Sequence, residues 1–277
     1  MSYRIILVHC DAAETVAHRL GVAAELAQRF AAHLVGLHVR EPFERSAFFD
    51  SVLPVDELVR MYEEAASIEE AAAVAAFEKA VKGRNLSPEW RVVTGDRKTE
   101  VSAQARYADL AVLGQDEPEV TVTLSGLPET VALATGRPVL VVPYIGAKQP
   151  PGKVVLLCWN ASREAARAAA DAMPVLEAAE KVIVLTVNPE ASVGGNAPEP
   201  AADAAAWLRR HGVNASVHRD VAPDSDVGAI ILSRAADHGA DLIVMGVYGH
   251  SRMREMVLGG VSRTLLSSMT VPVFMAH

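Results

Sequence analysis

The sequence predicts an α/β protein whose parallel strands are covered by helices on both faces. Three observations carry that expectation. Short apolar runs alternate with longer stretches of helical periodicity along the 277 residues. Some runs stop at a glycine, as in Asp109-Leu-Ala-Val-Leu-Gly114 and Asp241-Leu-Ile-Val-Met-Gly246, the pattern of a buried parallel strand giving way to a loop. The series also occurs twice, in the same order. Tyr3-Arg-Ile-Ile-Leu-Val-His-Cys-Asp11 matches Gly152-Lys-Val-Val-Leu-Leu-Cys-Trp-Asn160, Ala108–Gly114 matches Ala240–Gly246, and Arg137-Pro-Val-Leu-Val-Val matches Val271-Pro-Val-Phe-Met-Ala.

In the second half the pattern predicts a strand at 153–159, a helix at 162–179 and a strand at 181–187. A loop rich in Gly and Pro follows, then a short helix at 201–211, a strand at 215–221 and a helix at 225–238. The strand at 241–245, a helix from about 260 and a strand at 271–275 complete it. The first half repeats the series, with a longer segment from Glu41 to Gly83 that holds Pro42, Pro54 and an Ala/Glu-rich helix. The linker Lys148-Gln-Pro-Pro-Gly152 separates two domains, 1–147 and 153–277. Strands interleaved with helices imply right-handed crossovers, and in such sheets ligands settle at the carboxyl ends of the strands.

Composition narrows the function classes. A net charge of −8 and few aromatics argue against nucleic-acid and anionic-membrane partners. Cys10 and Cys158, both expected in apolar strands, form neither a metal pattern nor a disulfide framework, which suits a reducing cytoplasm. Neither a signal peptide nor a membrane-spanning run is expected, and the chain reads as cytoplasmic.

The stretch Gly246-Val-Tyr-Gly249, followed by nine residues and then Gly259-Gly260-Val261-Ser262, carries the chemistry. Glycines permit tight turns that leave N–H groups uncovered, and a helix start adds orphan donors and positive dipole. A plain turn into a helix and an anion site both suit the stretch; four glycines without a bulky substitute favour the anion site.

Two α/β repeats, a strand ending in Met245-Gly246, the Gly-x2-Gly-x9-Gly spacing and a closing Val-Pro-Val strand together resemble the universal stress protein family in its tandem form. The resemblance implies two adenine-nucleotide α-hydrolase-like (Rossmann-like) domains, each a five-stranded parallel sheet, paired through their last strands. It also implies one adenine nucleotide, ATP or else AMP or ADP, in the C-terminal domain. By position, Met245 and Gly246 would lie beside that nucleotide. Gly249 would curl the loop round the phosphates, while Gly259, Gly260 and Val261 offer backbone N–H groups. Val187 resembles the position that reads the adenine edge through its backbone, and Asn160 stands where the family has an aspartate.

Two departures matter. Gly260 replaces a Ser or Thr, and Ser262, two residues on, either compensates or caps the helix, with capping the expectation. Asn160 keeps an acceptor but loses the charge. The first half is the reverse. Asp11 matches the family aspartate, but its loop is two residues shorter and places Asp116, Glu117 and Glu119 where polyphosphate would lie. Like charges repel, so no nucleotide is expected there.

His250 is the best placed of the cations after Gly249; Arg252, Arg254 and Arg263 are each expected to be solvated. His9 reads as a structural histidine and His277 as a frayed terminus, and His33, His38, His211, His218 and His238 show no ligand spacing. Phe43, Phe48 and Phe49 are expected to tuck into their own domain, against a lid, a second pocket or a dimer contact. The functional expectation is a stress-response nucleotide-binding protein that regulates an unidentified protein partner, without catalytic residues. A scaffold with vestigial loops and a weak ATPase are the alternatives. The duplication makes an internal pseudo-dimer, and two such chains are able to form a homodimer.

Overall fold

Val, Ile and Leu runs of four to eight residues make the strands, and Ala-rich amphipathic stretches make the helices that cover them. The structure is a computed structural model that describes residues 2–43, 54–116, 126–147, 150–188, 200–221, 226–247 and 260–277. The first repeat runs β1 (Ile5–His9), α1 (Val16–Phe30), β2 (His33–Arg40), α2 (Val55–Val81), β3 (Ser87–Thr94), α3 (Arg97–Ala105), β4 (Leu110–Gly114), α4 (Leu127–Thr135) and β5 (Val139–Val142). The second runs β6 (Val154–Cys158), α5 (Arg163–Asp171), α6 (Met173–Glu177), β7 (Lys181–Val187), α7 (Pro200–Arg210), β8 (Ala215–Asp220), α8 (Val227–Asp237), β9 (Leu242–Gly246), α9 (Gly260–Ser268) and β10 (Val273–Ala276).

The strands form one ten-stranded sheet in the order β3-β2-β1-β4-β5-β10-β9-β6-β7-β8. Within each repeat the five strands are parallel. The repeats meet antiparallel where Val141 lies opposite Val273 and Val139 opposite Met275. Each last strand thereby covers the other's open edge.

Strand alternation sends Ile6, Val8, Leu157, Val184 and Phe274 to one face, beneath α1, α2, α5, α6 and α7. Leu7, Leu113, Ile183, Met245 and Met275 go to the other, beneath α3, α4, α8 and α9. Both apolar layers run through the two repeats without a break. Each fully buried Leu or Phe contributes about 1.5–3 kcal/mol, so the seam is part of the core. Polar contacts cross it as well. The Tyr3 hydroxyl donates to the Asp171 carbonyl (2.8 Å), and Arg29 donates to the Pro151 and Ala178 carbonyls (3.2 and 3.1 Å).

Four local expectations are corrected. The helix at 162–179 is two helices, because Pro174 has no N–H to continue the ladder and instead occupies the first turn of α6. Cys10 lies one residue beyond β1, where its thiol points back to the Val8 carbonyl at 3.5 Å. His277 is held, its Nδ1 lying 3.0 Å from the Val247 carbonyl oxygen. His218 and His238, which sequence spacing left unrelated, place their Nδ1 and Nε2 atoms 3.3 Å apart. Phe43 packs edge-on against Tyr62, with ring centroids 5.6 Å apart, while Phe48 and Phe49 lie outside the described residues.

Candidate functional site

In the second repeat the chain leaves β6 into α5 on one face of the sheet and leaves β9 towards α9 on the other. The crevice between the carboxyl ends of β6 and β9 is therefore the switch point of strand order, where such sheets take ligands. Asn160, Val187, Met245, Gly246, Gly260, Val261 and Ser262 are among the described residues. Gly249, His250 and Gly259 lie outside them, as do Glu117 and Glu119 of the first repeat and Arg252 and Arg254 of the second.

Asn160 lies just beyond β6. Its Oδ1 accepts the Ser162 amide N–H at 3.1 Å, as Asp11 Oδ1 accepts that of Ala13 in the first repeat. Asparagine thus preserves the turn while giving up the charge. Ser162 then caps α5 by accepting the Ala165 amide (3.1 Å). Met245 is buried in the apolar layer beneath α8 and α9, and its backbone lies in the β9–β10 ladder.

Gly246 is required by packing. A Cβ there would come within 2.4 Å of the Glu164 carbonyl carbon and 2.5 Å of the Ala165 nitrogen, so glycine lets α5 start directly against the strand end. Gly260 is the opposite case. It opens α9, is exposed, and among the described residues nothing stands within 4 Å of where its Cβ would be. Val261 is half-buried. Ser262 lies inside α9 and is buried, so the expectation that it caps the helix is corrected: α9 already begins at Gly260.

Sequence reasoning missed two neighbours of these residues. Trp159 precedes Asn160 and Thr186 precedes Val187; the Trp159 amide donates to the Leu185 carbonyl at 2.8 Å, which sets the two residues side by side. Both sit on the upper face of the sheet at its carboxyl edge, Trp159 packing on the layer formed by Leu157 and Val184. Among the described residues, neither the Trp159 indole N–H nor the Thr186 hydroxyl has a hydrogen-bond partner, although both atoms are buried. A buried unpaired polar group costs about 1–3 kcal/mol, and Ser102 Oγ and Glu129 Oε2 of the first repeat are in the same condition.

The first repeat is filled by its own side chains. Arg19 is 5% exposed, pairs with the Asp11 carboxylate, and donates from Nε to the His9 carbonyl at 2.8 Å. A Cβ at Gly114 would collide with its guanidinium, so the cation lies across the strand end. Burial opposes the charge of Asp11, but Arg19 outweighs it and holds the carboxyl below the usual range. Burial also pushes His9 down to about 3, keeping the imidazole neutral as a structural residue. At the far end, Asp116 accepts the Gly126 amide N–H (2.5 Å) at the entry to α4. Burial raises Asp116 and the neighbouring Glu129 above ordinary carboxyl values. Asp116 was legible as a repelling charge; Arg19 was missed. The signal was the repeat alignment, which sets Arg19 opposite Ala168, each eight residues past the matched Asp11 and Asn160.

Other candidates are weak. Among the described residues no group of three or more His, Cys, Asp or Glu is placed to hold a metal. Burial pushes both thiols up to about 12, leaving them unreactive. No helix of the described residues is long and apolar enough to cross a membrane. A cavity of about 650 Å³ lies at the seam between the repeats, lined by His18, Gly146, Ala235, Gly239 and Thr270, and contains none of the candidate nucleotide residues.

The family model described as the universal stress protein family matches the chain twice, over residues 2–143 and 152–277. No curated protein sequence matches it. Among solved structures, a universal stress protein from Archaeoglobus fulgidus is 18% identical with a TM-score of 0.74, covering 98% of this chain and 95% of its own. A functionally unknown protein from Pseudomonas aeruginosa is 16% identical with a TM-score of 0.60, covering 99% and 92%. These similarities establish the fold.

Proposed function

The chain belongs to the universal stress protein family, and from that premise we propose that it is a stress-response nucleotide-binding protein. It holds one adenine nucleotide, ATP or else AMP or ADP, in the repeat spanning 153–277, while the repeat spanning 1–147 holds none. Occupancy regulates a protein partner in the cytoplasm.

The observation that carries this reading is the contrast between the two carboxyl edges. In the first repeat Arg19 satisfies Asp11 and Asp116 satisfies the start of α4. In the second, Ala168 stands at the Arg19 position and, among the described residues, nothing lies within 4 Å of where a Gly260 Cβ would be. In this reading Asn160 and Val187 face the adenosine end, with Met245 and Gly246 beneath the ligand. Gly249, His250, Gly259, Gly260, Val261 and Ser262 surround the phosphates. A bound nucleotide supplies recognition and no bond-breaking step, and no catalytic residue is assigned.

Mass spectrometry of the denatured protein should release co-purified adenine nucleotide. Isothermal titration with ATP should give one site per chain in wild type, and the Gly249→Ala/Gly259→Ala variant should lose it. Equal heats from both proteins would overturn the assignment and leave a paired scaffold.

A further inference from the structure

We propose that the outward face of α2 is a docking surface for a basic amphipathic helix of a partner protein. The inference goes beyond the nucleotide reading and stands without it, since the surface belongs to the first repeat.

α2 is longer than the strand it covers. Its 27 residues rise about 40 Å, whereas the eight residues of β2 span about 26 Å. The C-terminal half is anchored. Phe77 packs over Gly36 in the middle of β2, where a Cβ would come within 2.7 Å of its ring, and Arg84 just past the helix pairs with Glu25 of α1 at 2.8 Å. The N-terminal half is held from one side, where the Tyr62 hydroxyl donates to the Glu41 carbonyl at 3.0 Å. Along the whole helix only Ala73 and Phe77 are buried.

The side turned away from the body is apolar. Met61, Ala65, Ile68 and Ala72 follow at steps of four, three and four residues, which sets them in one stripe. Met61 is 51% and Ile68 71% exposed, and both alanines are exposed as well. Tyr62, Ala73 and Phe77 lie on another side of the helix, so its packing on the body leaves the stripe bare. A surface helix ordinarily carries charge there, and a contiguous exposed apolar strip marks an interaction site.

Charge selects the occupant. Residues 55–72 hold six carboxylates against one arginine. Helical spacing places Glu57 and Glu64 along one margin of the stripe and Glu69 along the other. Glu57 lies 3.9 Å from Arg60, and among the described residues Glu64 and Glu69 pair with no cation. A second copy of this chain would bring the same carboxylates edge to edge, with a net charge of −8 on each molecule. An anionic membrane surface meets the same repulsion. A helix with Leu or Ile along one face and Lys or Arg at its margins satisfies both the stripe and its acidic rims.

The test is fluorescence anisotropy of two labelled Leu/Lys peptides of equal length and composition, titrated with the full chain in the absence of nucleotide. One spaces its leucines three and four residues apart and so presents an apolar face; the other is scrambled and presents none. The amphipathic peptide should bind about tenfold tighter than the scrambled one. Met61→Gln/Ile68→Gln should abolish that difference and keep the urea midpoint, because both side chains are exposed. Glu57→Gln/Glu64→Gln/Glu69→Gln should weaken the amphipathic peptide and flatten its dependence on salt. Absence of binding, equal affinity for the two peptides, or a difference that survives Met61→Gln/Ile68→Gln overturns the proposal. Sedimentation of the same proteins adds one more outcome. A wild-type dimer that Met61→Gln/Ile68→Gln converts to a monomer makes a second copy the occupant and overturns the proposal too.

Discussion

The Arg19 guanidinium lies against the Asp11 carboxylate at the carboxyl edge of the first repeat, with Arg19 nearly fully buried. Removing one partner of a buried pair strands the other charge, which typically costs about 3–5 kcal/mol. Asp11 is partly exposed, so the lower end of that range applies. Arg19→Ala should lower the denaturant midpoint accordingly, and Arg19→Ala/Asp11→Asn should recover much of the loss. If the single variant unfolds like wild type, the pair contributes nothing.

The same pair predicts how to close the second site. Asn160→Asp/Ala168→Arg transplants both members to the matched positions. The new cation would lie across the crevice between β6 and β9 and occupy the adenosine end. ATP affinity should fall by more than tenfold while the circular dichroism spectrum is kept. Unaltered affinity would show that the ligand does not enter beside Asn160.

Much of this fold was legible because duplication doubles the evidence. The β9 run ending in Gly246 and the β4 run ending in Gly114 support each other as strands. The break in the 162–179 helix was missed because periodicity alone does not say that a new first turn begins at Pro174, where proline is tolerated. The site was less legible for a physical reason. Glycine spacing reports where backbone is bare, but whether a crevice is filled depends on side chains arriving from other elements. Arg19 comes from α1, Thr186 from β7 and Trp159 from just beyond β6, and none belongs to the glycine stretch. Gly246 carried an ambiguity of the same kind: its spacing suggests a ligand, and the α5 backbone supplies a packing reason.

Gly260 marks a place where affinity can be gained. It opens α9, and none of the described residues comes within 4 Å of where its side chain would go. Gly260→Ser supplies a hydroxyl at a helix start, worth about 0.5–1.5 kcal/mol as one added hydrogen bond. ATP should bind about three- to tenfold tighter, read by titration. Weaker binding would place the ligand's phosphates elsewhere.

Gln115 ties the first repeat to the helix whose start faces the proposed phosphates. Its amide Nε2 donates to the Leu266 carbonyl of α9 at 2.8 Å, and its Oε1 accepts the Tyr144 amide at 3.2 Å. Gln115→Leu keeps the bulk but leaves a buried carbonyl and an amide unpaired. Stability should fall by about 1–3 kcal/mol, measured by urea denaturation, with the second repeat losing amide-exchange protection first along α9. Protection lost only in the first repeat would mean that the bond does not restrain α9.

His9 sets the response to acid. Its imidazole is buried at the end of β1 among Asp11, Arg19, Arg97 and His38, and burial lowers its pKa from 6.5 to about 3. Between those values the unfolded chain binds a proton that the folded chain refuses. Stability is therefore whole above about pH 6.5 and declines as pH falls through the window, by at most about 1.4 kcal/mol per pH unit. Asp116 and Glu129, whose carboxyls are raised by burial, act in the opposite direction, because the folded state takes up their protons first. Urea midpoints measured between pH 7 and pH 4 should fall more steeply for wild type than for His9→Gln, which cannot titrate. Parallel curves would mean that His9 gains its proton without unfolding the edge of β1.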